Sequence, residues 1–162
     1  MIIESIKLKS KKNANIFNVV ADGNTFVLHS DAIVKFGIAT NKEVEAGQFF
    51  KAVKESDYII CLNVATNYMG SRLRTLKQLK DYLTTKGFNY ETINIVLEKL
   101  GEYKVVNDEE FSKSFIKVNS TKYSKKMIQQ KLQQKGVKKQ DFVESLQEID
   151  DKETCVHFAK SF

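Results

Sequence analysis

The chain has 162 residues, 42% of them hydrophobic and 28% charged, with a formal net charge of +6 and no proline. This content suits one folded domain or two small ones with a real core. No apolar run approaches the roughly 18 residues of a membrane span, and the N-terminus reads as a lysine-bearing strand rather than a signal peptide.

Residues 2–9 alternate, with Ile2, Glu4, Ile6 and Leu8 on one side and Ile3, Ser5, Lys7 and Lys9 on the other, as a half-buried strand does. Residues 10–15 are polar and turn-like. The β-rich runs 16–20 and 25–29 flank Ala21-Asp22-Gly23-Asn24, where glycine supplies the positive φ of a hairpin turn. A small antiparallel sheet of about three strands is therefore predicted. Ser30 or Asp31 can cap a short helix that Gly37 ends. A second helix is predicted over about 43–54, with Val44, Phe49, Phe50 and Val53 inward. A three-stranded sheet alone is marginal, so it should pack on these helices.

From there the chain repeats itself. Residues 75–100 fall on 124–149 at a shift of 49, pairing Thr75 with Ser124, Leu79 with Ile128, Leu83 with Leu132, Gly87 with Gly136 and Phe88 with Val137. Repeats of this period mean stacked helical units. Leu76, Leu79 and Leu83 recur at helical spacing, as do Ile93, Val96, Leu97 and Leu100. Gly87 and Gly136 stand where the first of these helices must stop. A third helix joins each copy. FSKSF at 111–115 recurs as FAKSF at 158–162, and in 57–68 Tyr58 and Leu62 take the places of Phe111 and Phe115. The helices fall at about 57–69, 75–86 and 90–102, then about 108–119, 124–135 and 138–149. A further first helix is expected over 151–162, with Cys155, Phe158, Ala159 and Phe162 on one stripe, docked on the preceding repeat with part of its apolar face open.

The charge belongs to the repeats. Residues 1–70 hold 8 Lys/Arg and 7 Asp/Glu, residues 71–140 hold 16 and 7, and residues 141–162 hold 2 and 6. Such a concentration points to a polyanion or an acidic protein surface as partner. Cations cluster at helix starts: Arg72 and Arg74 before the helix at Thr75, Lys122, Lys125 and Lys126 around Ser124, and Lys138 and Lys139 before the last helix. A helix N-terminus is partly positive, so this placement costs a little unless an anion joins the cations.

Catalytic patterns are missing. The seven glycines form neither GxGxxG nor a P-loop. His29 and His157 stand alone and read as structural. Asp108, Glu109 and Glu110, and again Asp150, Asp151 and Glu153, open helices and read as caps rather than metal ligands. Cys61 and Cys155 lie far apart without metal spacing, which reads as reduced, structural and intracellular. Neither a metal nor a cofactor is called for.

The string Arg72-x-Arg74-Thr75-x3-Leu79-x3-Leu83-x2-Lys86-Gly87-Phe88 resembles the RecX family of bacterial recombination regulators. Ile128-x3-Leu132-x2-Lys135-Gly136-Val137 resembles that family's next repeat, and the leading strands resemble the N-terminal extension of its Gram-positive members. Two features depart from the family: Leu73 stands where a proline is common, and only the first helix of a third repeat is expected. The resemblance implies a mainly α fold, with tandem three-helix repeats in an elongated array after a small antiparallel β-hairpin or sheet plus helix module. The expected divisions are 1–55 for that module, 56–105 and 106–150 for the repeats, and 151–162 for the incomplete third. The resemblance also implies a non-catalytic, cytoplasmic regulator that binds RecA or the RecA–single-stranded-DNA filament and modulates its ATPase and strand exchange, with weak direct DNA binding and no membrane. Inhibition is the favoured direction, with the sign left open by the sequence. The residues expected to meet RecA or DNA are Arg72, Arg74, Lys77, Lys80, Lys122, Lys125, Lys126, Lys131, Lys135, Lys138 and Lys139. The competing reading is a stand-alone DNA-binding module of helix-turn-helix type, since three-helix units also build those.

Overall fold

A computed structural model describes residues 1–148. The expected helix over 151–162, with Cys155, His157, Phe158 and Phe162, lies outside the described residues. The chain divides into two compact units, Met1–Ala65 with Phe88–Val96, and Thr66–Gly87 with Leu97–Phe162.

The first unit opens with an antiparallel meander, β1 (Ile3–Ser10), β2 (Asn13–Ala21) and β3 (Asn24–His29), in that order. Asp22 and Gly23 both have positive φ, 46° and 75°, which makes the β2–β3 connection the turn that matches strand twist. The alternation expected along β1 is broken. Ile3 pairs with Ala21 and Ser5 with Val20, so Glu4 is the extra residue of a bulge. The bulge shifts the phase by one, and Ile3 and Ile6 join the same core while Ile2 and Leu8 are exposed. That core holds Val19, Ala21, Leu28, Ile38, Val44, Phe49 and Ala52.

Helix α1 (Ser30–Lys35) is capped by neither Ser30 nor Asp31. His29 is the N-cap, its Nδ1 accepting from the Asp31 N–H at 3.1 Å. This gives His29 the structural role the sequence suggested. Gly37, at φ 62°, ends the helix.

The two helices expected over 43–54 and 57–69 are one, α2 (Ala46–Gly70). Glu55-Ser56-Asp57 reads as a polar interruption, yet it contains no glycine or proline to break the helix. Ser56 is buried, and its hydroxyl accepts the His29 N–H at 2.9 Å. Cys61, on the same helix, is also buried, its thiol pushed up to about 11 by burial and by the nearby Asp57 carboxylate.

The repeats follow as α3 (Leu76–Thr85), α4 (Tyr90–Glu102), α5 (Asp108–Asn119), α6 (Lys125–Gln134) and a seventh helix, α7, from 139 to 148. The division between the units falls within α2 and α4. In the second unit, Leu79 and Leu83 are fully buried. Phe111, Ile116, Ile128, Leu132, Val137, Phe142 and Leu146 form one cluster. Gly136 ends α6 at φ 85°, with Val137 N–H returning to Leu132 O at 3.0 Å, and buried Val137 covers the helix end. Helix α4 ends the same way without a glycine: Lys104 takes the left-handed position at φ 55°, and Val105 N–H reaches Leu100 O at 3.0 Å.

Candidate basic interface

The α3 start is built from both repeats. Thr75 forms a reciprocal cap with Gln78: its hydroxyl accepts the Gln78 N–H at 3.2 Å, and Gln78 Oε1 accepts the Thr75 N–H at 3.0 Å. The same hydroxyl donates to Lys135 O, at the end of α6, at 2.7 Å. The Lys77 ammonium reaches Gln134 O at 3.5 Å, where the negative end of a helix favours a cation. Its stem lies so close to Gly136 that a Cβ there would stand 2.5 Å from Lys77 Cβ. Leu76 N–H donates to Asp108 Oδ1 at 2.9 Å. The positive end of α3 is thus met by a carboxylate from α5, and the anion that the cation-rich joint seemed to lack is internal. Burial pushes the Asp108 carboxyl above its ordinary value, the Leu76 hydrogen bond opposes this, Asp141 adds to it and Lys138 opposes it.

Arg74 is half-buried and committed to the joint. Its Nε donates to Tyr68 O at 3.2 Å, and its guanidinium carbon lies 3.8 Å from the Tyr68 ring centroid. Tyr68 stacks in turn on Tyr82, with centroids 3.8 Å apart and planes 7° from parallel, and Lys86 Nζ lies 5.4 Å from Tyr82. Arg72 is exposed.

The matching corner of the second repeat is arranged differently. Lys131 Nζ lies 4.7 Å over the Tyr123 ring, and Lys135 Nζ lies 5.8 Å over Phe115. Both lysines are half-buried. With Asn119 and Gln134 they line a shallow hollow of about 400 Å³ between α5 and α6. Lys80, Lys122, Lys125, Lys126, Lys138 and Lys139 are exposed. Lys77, Lys80 and Lys138 border a hollow that also contains Asp108 and Asp141. Ser124 caps α6, accepting the Met127 N–H at 3.3 Å.

The structure therefore brings Lys131 and Lys135 together, and Lys77, Lys80 and Lys138 together. It ties Arg74 and Lys77 to the scaffold. Sequence reasoning overlooked Tyr123, Phe115 and Asn119. A signal for Tyr123 existed: at the shift of 49, Arg74 and Tyr82 fall on Tyr123 and Lys131, so cation and ring change places. Among the described residues, no group of His, Cys, Asp and Glu is placed to hold a metal, and no helix is long and apolar enough to cross a membrane.

A small antiparallel sheet followed by tandem three-helix units with a lysine-rich surface defines a helical-repeat protein built on successive copies of one module. Residues 61–100 match the family model of the RecX first three-helix domain, and residues 107–146 that of the RecX second three-helix domain. The regulatory protein RecX of Clostridium perfringens strain SM101 is 33% identical over 152 residues, which are 93% of this chain and 71% of that protein. The RecX protein of Finegoldia magna is 28% identical over 92% of this chain and 73% of its own length. A crystal structure of regulatory protein RecX shares the fold at a TM-score of 0.65, with 19% identity over 91% of this chain and 73% of that one. The crystal structure of RecX from Lactobacillus salivarius is similar over 56% of this chain and 60% of its own, at a TM-score of 0.53 and 25% identity. The chain belongs to the RecX family, and its relatives are regulatory proteins by name.

Proposed function

We propose that this chain is a non-catalytic, cytoplasmic regulator of homologous recombination and DNA repair. It binds RecA or the RecA–single-stranded-DNA filament and restrains ATP hydrolysis and strand exchange. The observation that carries this reading is the pair of RecX three-helix domains at 61–100 and 107–146. The concentration of cations in 71–140 supports it, because a filament around DNA offers a long anionic partner.

The contacts we assign are Arg72, Lys80, Lys122, Lys125, Lys126, Lys131, Lys135, Lys138 and Lys139, with Arg74 and Lys77 holding the joint behind them. We retain the division at 1–55, 56–105, 106–150 and 151–162 as the working organisation, with α2 running unbroken through the first of these boundaries.

The test is the DNA-dependent ATPase of RecA with and without the chain. A lowered rate is expected. An unchanged rate, together with sequence-selective binding to duplex DNA, would replace this reading with the helix-turn-helix one.

A further inference from the structure

Three open hollows of the second unit differ in charge. One, of about 380 Å³, mixes Lys77, Lys80 and Lys138 with Asp108 and Asp141. Another, of about 480 Å³, sets Lys104 against Glu98, Asp108, Glu109 and Asp141. The third, the α5–α6 hollow of about 400 Å³, has Lys131 and Lys135 and, among the described residues, no carboxylate in its lining. Neither lysine makes a salt bridge with a described residue. Their ammonium groups rest over aromatic rings, which hold a cation without neutralising it.

The first repeat closes the same corner with its own side chains. There Tyr68 is held between the Arg74 guanidinium and the Tyr82 ring. Tyr58 matches Phe111 at a shift of 53, and that shift puts exposed Thr121 opposite Tyr68. The second repeat keeps cations and rings but lacks the flat group that the first packs with them. Asn119 adds an acceptor: its Nδ2 donates to Phe115 O at 2.8 Å, leaving its Oδ1 for an incoming donor.

We propose that the α5–α6 hollow binds one nucleotide unit of single-stranded nucleic acid, with the base against Tyr123 and Phe115 and the adjoining phosphate on Lys131 and Lys135. An acidic protein side chain would need the cations but not the rings. Ring and cation together suit a base and its phosphate, as on single-strand binding surfaces generally. Exchanging a ring for a phosphate gives each ammonium a charge-assisted hydrogen bond. The proposal deepens the filament reading, on which it rests, by naming the DNA strand as what this corner meets.

The test uses the whole chain and a single-stranded oligodeoxynucleotide without RecA, so its failure is distinct from failure of RecA regulation. A 5-bromouracil-substituted oligonucleotide should photo-crosslink at Tyr123. In anisotropy titrations across salt, Tyr123→Phe should bind like the parent, and Tyr123→Ala should lose roughly five- to hundredfold in affinity. Lys131→Ala/Lys135→Ala should flatten the salt slope by about 0.7, the value for one lost phosphate contact on a single strand. Lys11→Ala/Lys12→Ala, in the β1–β2 turn of the first unit, should leave it unchanged. Tyr123 also packs on the core, so Tyr123→Leu, which keeps apolar bulk and removes the ring, decides the matter if the alanine variant unfolds early. The leucine variant should bind like the alanine one. No measurable binding by the parent, a crosslink confined to other residues, or parental affinity in Tyr123→Leu would each overturn the proposal. If the lysine pair were needed for RecA filaments but not for the oligonucleotide, the corner would belong to an acidic protein surface instead.

Discussion

Arg72 and Arg74 are separated by one residue and do different work. Arg74 packs its guanidinium on Tyr68 and donates to the Tyr68 carbonyl, whereas Arg72 is exposed. Arg74→Ala should therefore cost about 1–2 kcal/mol of stability, read as a fall of roughly 2–8 °C in thermal midpoint. Arg72→Ala should stay within about 0.5 kcal/mol and show its effect only in filament binding. Asp108 gives a second prediction at this scale. Burial raises its carboxyl in the folded chain, so the native state holds its proton to higher pH than the unfolded state does. Its contribution to stability is greatest below the unfolded value and falls as pH rises through the raised folded value. Asp108→Asn keeps an acceptor for Leu76 N–H and should flatten that acid-range slope relative to the parent. Asp108→Ala leaves the α3 cap without its acceptor and should lose about 0.5–2 kcal/mol in denaturant titrations at neutral pH.

At the scale of elements, Gly87 and Gly136 are equivalent in sequence but not in surroundings. Both have positive φ, 91° and 85°. A Cβ at Gly87 meets nothing within 4 Å, while one at Gly136 collides with the Lys77 stem. Gly87→Ala should cost about 1–2 kcal/mol for the backbone alone, and Gly136→Ala about 1–3 kcal/mol more for the overlap. Equal losses in urea unfolding would mean that the Lys77–Gly136 contact does not hold the joint. The same elements show what the sequence discloses. The glycine-ended helices and the Asp22-Gly23 turn are local signals, set by backbone sterics, and they were legible. The Glu4 bulge was hidden because alternation in β1 looks unbroken until its partner strand is known. Lys104 in a left-handed cap and the unbroken α2 were hidden for other reasons: a lysine does not announce a positive φ, and a polar stretch such as 55–57 looks like a break although no residue in it stops a helix. Asp108 capping α3 joins residues 32 apart, which no local pattern reports.

For the molecule as a whole, the repeat and the RecX resemblance were readable because helical period, glycine stops and order recur over two copies. The candidate site was readable only in part. A count of lysines finds the basic region 71–140 but does not separate lysines tied to the scaffold, such as Lys77, from those resting on rings, such as Lys131. The central claim is that this surface carries the regulatory contact. Its most direct test is co-sedimentation of the chain with preformed RecA–single-stranded-DNA filaments, comparing the parent with Lys131→Glu/Lys135→Glu/Lys138→Glu/Lys139→Glu. The variant should remain folded, losing about 1–2 kcal/mol through its two ring contacts. Its filament affinity should fall by about tenfold or more, since charges in the contact are reversed. A folded variant that pellets with filaments as fully as the parent would contradict the account.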